Sequence, residues 1–91
     1  MAPHYFPGDC VLALTDQPSL ALSLTFDHTA RWRITVFDLQ EKKAAVTDRF
    51  ERSLDAAKRY VVEYVRKKYG LDVSALQWRE VRTVRGEGAA G

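Results

Sequence analysis

The stretch Ser53 to Gly70 (SLDAAKRYVVEYVRKKYG) constrains the fold more than any other, because it carries a helical period together with a start and a stop signal. Ser53 can accept from the free N–H groups of a first turn. Asp55 puts negative charge at the N-terminal end, and Arg66, Lys67 and Lys68 put positive charge at the other, as the helix dipole favours. Gly70 supplies the left-handed residue that closes the helix. At about 100° per residue, Leu54, Ala57, Val61, Tyr64 and Val65 form one stripe, flanked by Tyr60 and Tyr69. The opposite face holds Asp55, Arg59, Glu63, Arg66 and Lys67, and the spacing predicts ion pairs Asp55–Arg59 and Glu63–Lys67. Such a helix needs one apolar surface to lie on.

That surface is written into the preceding residues. Leu20 to Asp27 alternates, with Leu20, Leu22, Leu24 and Phe26 on one side and Ala21, Ser23, Thr25 and Asp27 on the other. Arg31 to Leu39 repeats the pattern, with Trp32, Ile34 and Val36 facing the core and Arg31, Arg33, Thr35, Phe37 and Leu39 facing away. Cys10 to Thr15 reads as a shorter strand, broken at Pro18. In Ala44 to Phe50 the expected inward residues are Ala44, Val46 and Phe50, leaving Ala45, Thr47 and Arg49 outward. A final strand is expected over residues 76–84. Short polar turns between successive strands favour an up-and-down meander.

The expected fold is therefore α+β: an antiparallel meander of four to five strands with one long helix on one face, in the order β-β-β-β-α-β. The chain of 91 residues reads as one small domain, with an arm at 1–9, the meander at 10–50, the helix at 53–69, the last strand at 76–84 and a flexible tail at 85–91. In the arm, Pro3 and Pro7 enforce extended backbone, and Tyr5 and Phe6 are expected to strap across the core edge.

Composition limits the function classes. Formal net charge is +2, and residues 1–50 hold five Lys/Arg against six Asp/Glu while residues 51–91 hold nine against six, so the basic bias follows the helix. A single cysteine excludes an internal disulfide. No apolar run reaches the roughly 18 residues of a membrane span, and the first residues lack the pattern of a secretory leader, so a soluble cytoplasmic protein is expected. His4, His28 and Cys10 are too few and too scattered for a structural zinc site, and neither metal nor cofactor is expected. No GxSxG or SxxK motif occurs, and no glycine-rich loop precedes the helix. A Cys10-dependent activity, or an acid pair of Asp38 with Asp48 across a hairpin, are the remaining enzymatic readings; the expectation is no catalysis.

Two binding surfaces stand out. Phe37, Leu39, Trp78 and Val81 are large apolar groups that one helix on one sheet face does not easily hide, which points to an unidentified protein partner, self-association included. A small adaptor or inhibitor is the role that fits. The alternative surface is Arg31, Arg33, Phe37 and Arg49, arginines with an aromatic on an open sheet, suited to phosphate contact and base stacking. Four strands followed by a helix is an order similar to that of the single-stranded nucleic-acid modules of the PUR-repeat type. That resemblance, one of element order, implies a single-stranded nucleic acid as the alternative ligand.

Overall fold

A computed structural model describes residues 5–82, apart from the side chains of 46–48; the arm residues 1–4, the end of the expected last strand at 83–84 and the tail 85–91 lie outside the described residues. The elements are β1 (Cys10–Leu14), β2 (Leu20–Phe26), β3 (Trp32–Asp38), β4 (Lys43–Glu51), α1 (Leu54–Tyr69) and β5 (Arg79–Val81). They form one five-stranded sheet in the order β4-β3-β2-β1-β5, with every neighbouring pair antiparallel. The expected α+β architecture and element order are what the chain adopts.

The core lies between one sheet face and α1. Val11 and Ala13 of β1, Leu20, Leu22 and Leu24 of β2, and Trp32, Ile34 and Val36 of β3 are buried there against Ala57, Val61 and Val65. The helix lies over β2, β3 and β4, and the segment that follows it extends the cover, with Val73 buried and Leu71, Leu76 and Trp78 packed on the same core. Tyr5 closes one end of this layer: its ring meets Trp32 edge-on at 4.7 Å between centroids, and Phe26 lies 5.1 Å from Trp32. Phe6, the other expected strap, is exposed instead.

The helix ends behave as their residues dictate. The Ser53 hydroxyl accepts the Ala56 N–H at 3.0 Å, and Gly70, at φ 68°, donates its N–H to Arg66 O at 2.9 Å. The outer face is less paired than its spacing suggests. Glu63 pairs with Arg66 one turn on, in place of Lys67, and Asp55 and Arg59 form no pair.

The fourth strand departs from expectation. Ala45 lies opposite Val36 and Ala44 opposite Phe37, while Phe50 lies opposite Arg33 and Glu51 opposite Trp32. Cross-strand partners share a face, so Ala45 and Glu51 are on the helix side, and Ala44 and Phe50 on the far side. The expected facing is reversed. Between Arg33 and Thr35 the partner moves from Phe50 to Val46, an irregularity that lets β4 hold more residues than β3 over the same span. The last strand is also shorter than expected, and residues 76–78 are not part of it.

Tight turns join β2 to β3 and β3 to β4. In the first, Ala30 sits at φ 61° and donates to Asp27 O at 3.0 Å, while Asp27 Oδ1 accepts from the Thr29 N–H, the Thr29 hydroxyl and the Arg31 N–H. This left-handed position is costly for any residue with a Cβ. Ala30→Gly is therefore expected to stabilise the protein by about 0.5–1 kcal/mol, after the greater entropy of the unfolded glycine is offset. Thermal denaturation by circular dichroism reads this as a rise of several degrees, and no rise would mean that the turn is unstrained. In the second turn the Asp38 carboxylate accepts from the N–H groups of Gln40 and Glu41.

Candidate functional site

With α1 and its following segment on one side, the described chain leaves the other side of the sheet open. Register assigns its residues to three rows across the strands. One runs Phe50, Arg33, Thr25, Cys10, Val81; the next runs through Thr35, Ser23, Leu12 and Arg79; the third is Ala44, Phe37, Ala21, Leu14. Leu39 extends the face beyond β3, its N–H bonded to Ser19 O at 2.9 Å. Of the large apolar side chains that stand exposed among the described residues, Leu14 at 66%, Leu39 at 42%, Val81 at 42% and Phe50 at 36% belong to this face, and Phe6 lies elsewhere. Phe37 is half-buried between the much smaller Ala21 and Ala44.

The face also carries cations. The side chains of Arg33 and Arg79 are exposed and, among the described residues, form no ion pair or hydrogen bond. The Arg31 guanidinium lies 4.6 Å from the centroid of the Phe50 ring and donates through Nε to the Thr29 hydroxyl. Among the described residues, no row contains a carboxylate. Of the acids beside the face, Asp9 is tied to Arg82, Glu80 to Arg82 and Tyr5, and Asp27 to Thr29 and Arg31.

Phe37, Leu39, Val81, Arg31 and Arg33 thus stand together. Two expected members do not. Arg49 is on the helix side, with its guanidinium 4.8 Å from the Tyr60 ring centroid and its Nε bonded to Glu51 at 2.8 Å, because β4 meets β3 with odd-numbered residues toward the helix on both sides of the irregularity. Trp78 packs on the core below the sheet, with the Lys58 ammonium 5.8 Å from its ring, and it contributes only to a groove of about 650 Å³ beside Leu12, Leu14 and Arg79. Sequence reasoning missed Phe50, Leu12, Leu14 and Arg79. Leu12 and Leu14 were legible from the alternation Val11, Ala13 against Cys10, Leu12, Leu14; Phe50 was not, since its facing depends on the register.

The half-buried Cys10 lies on the open face, and its thiol is pushed up first by burial and then by the Asp9 charge, the reverse of what activates a nucleophile. His28 is exposed in the β2–β3 turn, and no hydrogen bond joins it to Cys10. The Asp38 carboxylate serves its turn, and the side chain of Asp48 lies outside the described set. Among the described residues no group of His, Cys, Asp and Glu side chains gathers as a metal site, and no helix is long and apolar enough to cross a membrane.

At one corner of the sheet a polar cluster ties the arm to β5. Asp9, fully buried, accepts the Phe6 N–H at 2.9 Å and pairs with Arg82 at 3.2 Å. Arg82 also reaches Glu80 at 3.2 Å and lies 4.3 Å from the Tyr5 ring centroid, and the Tyr5 hydroxyl donates to Glu80 at 2.7 Å. The bond from Tyr5, and then the Arg82 charge, lower the Glu80 carboxyl; the Thr29 hydroxyl, followed by the Arg31 and Thr29 N–H groups, lowers that of Asp27. A carboxyl lowered by folding adds stability above its unfolded value and loses it as pH falls through the folded one. Stability is therefore expected to hold from neutral pH down to the ordinary values of 4.5 for Glu80 and 3.8 for Asp27, and to fall below them. Glu80→Gln/Asp27→Asn should flatten that acid limb in melting curves taken across pH; an unchanged limb would assign it to other carboxylates.

The chain matches no family model, no curated protein and no solved structure.

Proposed function

We propose that the protein is a non-catalytic interaction module that docks a protein partner on the open face of its sheet. The observation that carries this reading is the concentration of exposed Leu14, Leu39, Val81 and Phe50 on that one face, which the described chain leaves uncovered. Exposed aliphatic and aromatic groups on one face, with arginine among them, have the composition of an interface. A role as a small adaptor or inhibitor follows from the same arrangement, in which one side of a thin two-layer domain supplies stability and the other remains available.

The test compares proteins captured from the source cells by the wild type and by Leu14→Asp/Phe37→Asp, with circular dichroism confirming that both fold. The expected result is a partner depleted at least tenfold by the variant, since a buried unpaired charge at an interface centre costs about 2 kcal/mol or more. An identical set of captured proteins would remove the open face from the account.

Single-stranded nucleic acid is the second reading. It keeps Arg31, Arg33 and Phe37, loses Arg49, and gains Arg79 as a further cation on the same face. It leaves the exposed aliphatic groups without a use, because a phosphate backbone offers Leu14, Leu39 and Val81 nothing to pack on. Titration with an oligothymidylate at two salt concentrations separates the readings: a phosphate reader loses affinity steeply with salt.

A further inference from the structure

The docking reading leaves the occupant open, and the charges narrow it. Arg33 and Arg79 stand on opposite flanks, on β3 and β5, with β2 and β1 between them. At a strand spacing of about 4.8 Å these two cations are roughly 14 Å apart across the sheet. An α-helix with its side chains is about 10–12 Å across. One helix therefore fits between them, its underside over Leu12 and Leu14 of β1 and Ala21, Ser23 and Thr25 of β2, and each edge against a guanidinium that has no carboxylate partner among the described residues.

We infer that the occupant of the open face is an amphipathic segment of a partner protein, apolar on one stripe and acidic along its flanks. The inference rests on the docking reading above and adds the chemistry of the partner. A second copy of the chain fits worse for two reasons. Facing two such surfaces brings together arginines with no acid in any described row of either, so guanidiniums would be desolvated without counter-charges. The area is also small. Five strands and three rows span roughly 20 Å by 20 Å, about half of the roughly 800 Å² per partner typical of a stable interface. A helix needs less, and carboxylates on both its flanks answer Arg33 and Arg79 in bidentate geometry.

The test is a phage-displayed library of random peptides of about 16 residues, long enough to cross the face as a helix, panned on the full chain. Enriched sequences are expected to be acidic relative to the starting library. They should lose affinity at least tenfold against Arg33→Glu/Arg79→Glu, and also against Leu14→Asp. If the charge-reversed protein fails to fold by circular dichroism, Arg33→Gln/Arg79→Gln replaces it, with a smaller loss expected. Peptides that Leu14→Asp releases but that show no acidic bias overturn the inference and leave the docking reading standing. If no enriched peptide is sensitive to Leu14→Asp, both fail. Two controls can also overturn it: an oligothymidylate that binds more tightly than the best peptide, or sedimentation showing a dimer of the protein alone that Leu14→Asp dissolves.

Discussion

Trp32→Ala is expected to lower stability by about 3–5 kcal/mol, as large aromatic truncations in a packed core do. The indole is 2% exposed and stands at the start of β3, where the sheet, the arm and the core meet. Its ring touches Tyr5 edge-on and lies 5.1 Å from Phe26, so its removal leaves a space that no flexible neighbour can refill and frees Tyr5 from its seat. A domain of 91 residues has a total stability on the order of 5–14 kcal/mol, so one substitution removes a large share. Urea denaturation followed by circular dichroism is the measurement. The midpoint should fall with the slope nearly unchanged, and Trp32→Phe should recover part of the loss. A midpoint within experimental scatter of the wild type would mean that the aromatic cluster is not the anchor of the arm.

Asp9→Ala is the second large effect, at about 2–4 kcal/mol. The carboxylate is out of contact with solvent, yet it takes the Phe6 N–H and the Arg82 guanidinium, and the same residue's carbonyl accepts the Phe26 N–H at 2.8 Å. Its loss strips the part-buried Phe6 N–H of an acceptor and takes a counter-charge from Arg82. Arg82→Ala makes the complementary error by leaving the buried carboxylate without that guanidinium. Because both substitutions break one pair, the double variant should be less destabilised than the sum of the singles. Hydrogen exchange adds a local readout: the amides where β1 meets β5, at Cys10–Leu12 and Arg79–Val81, should lose protection ahead of those between β2 and β3. Equal loss across the sheet would make Asp9 a general core residue rather than the tie for β5.

What the sequence made legible were the features whose causes are local. The helix has its cap and its stop within its own residues, so Ser53 and Gly70 marked it to within a residue. β2 and β3 announce their faces by alternation, since one side is dry and the other wet along their whole length. β4 does not. Its inward residues depend on where it meets β3: Ala45 meets Val36 and Ala44 meets Phe37, one residue off the expected parity. The irregularity between Arg33 and Thr35 adds two residues and so keeps that parity, which is why Phe50 and Arg49 both lie opposite to their expected sides. Trp78 was misplaced for a related reason. Alternation sets it opposite Arg79, on the helix side, and which face Arg79 takes is decided only by the pairing of β5 with β1. The candidate site was thus legible on β3 and at Val81 of β5, and illegible where it draws on β4. The pairing of Asp9 with Arg82, 73 residues apart, had no local signal at all.

That pairing has a topological meaning. It brings Tyr5 and Arg82, the first and last described residues, side by side at one corner, so the described path is close to a closed ring cut at a single point. Where the ring is cut is then a matter of connectivity rather than of architecture. A short linker from Arg82 to Tyr5, with new ends opened at the exposed β2–β3 turn, keeps every strand beside its present neighbours. It also opens new ends at the β2–β3 turn, where a tag or a fused domain can be carried.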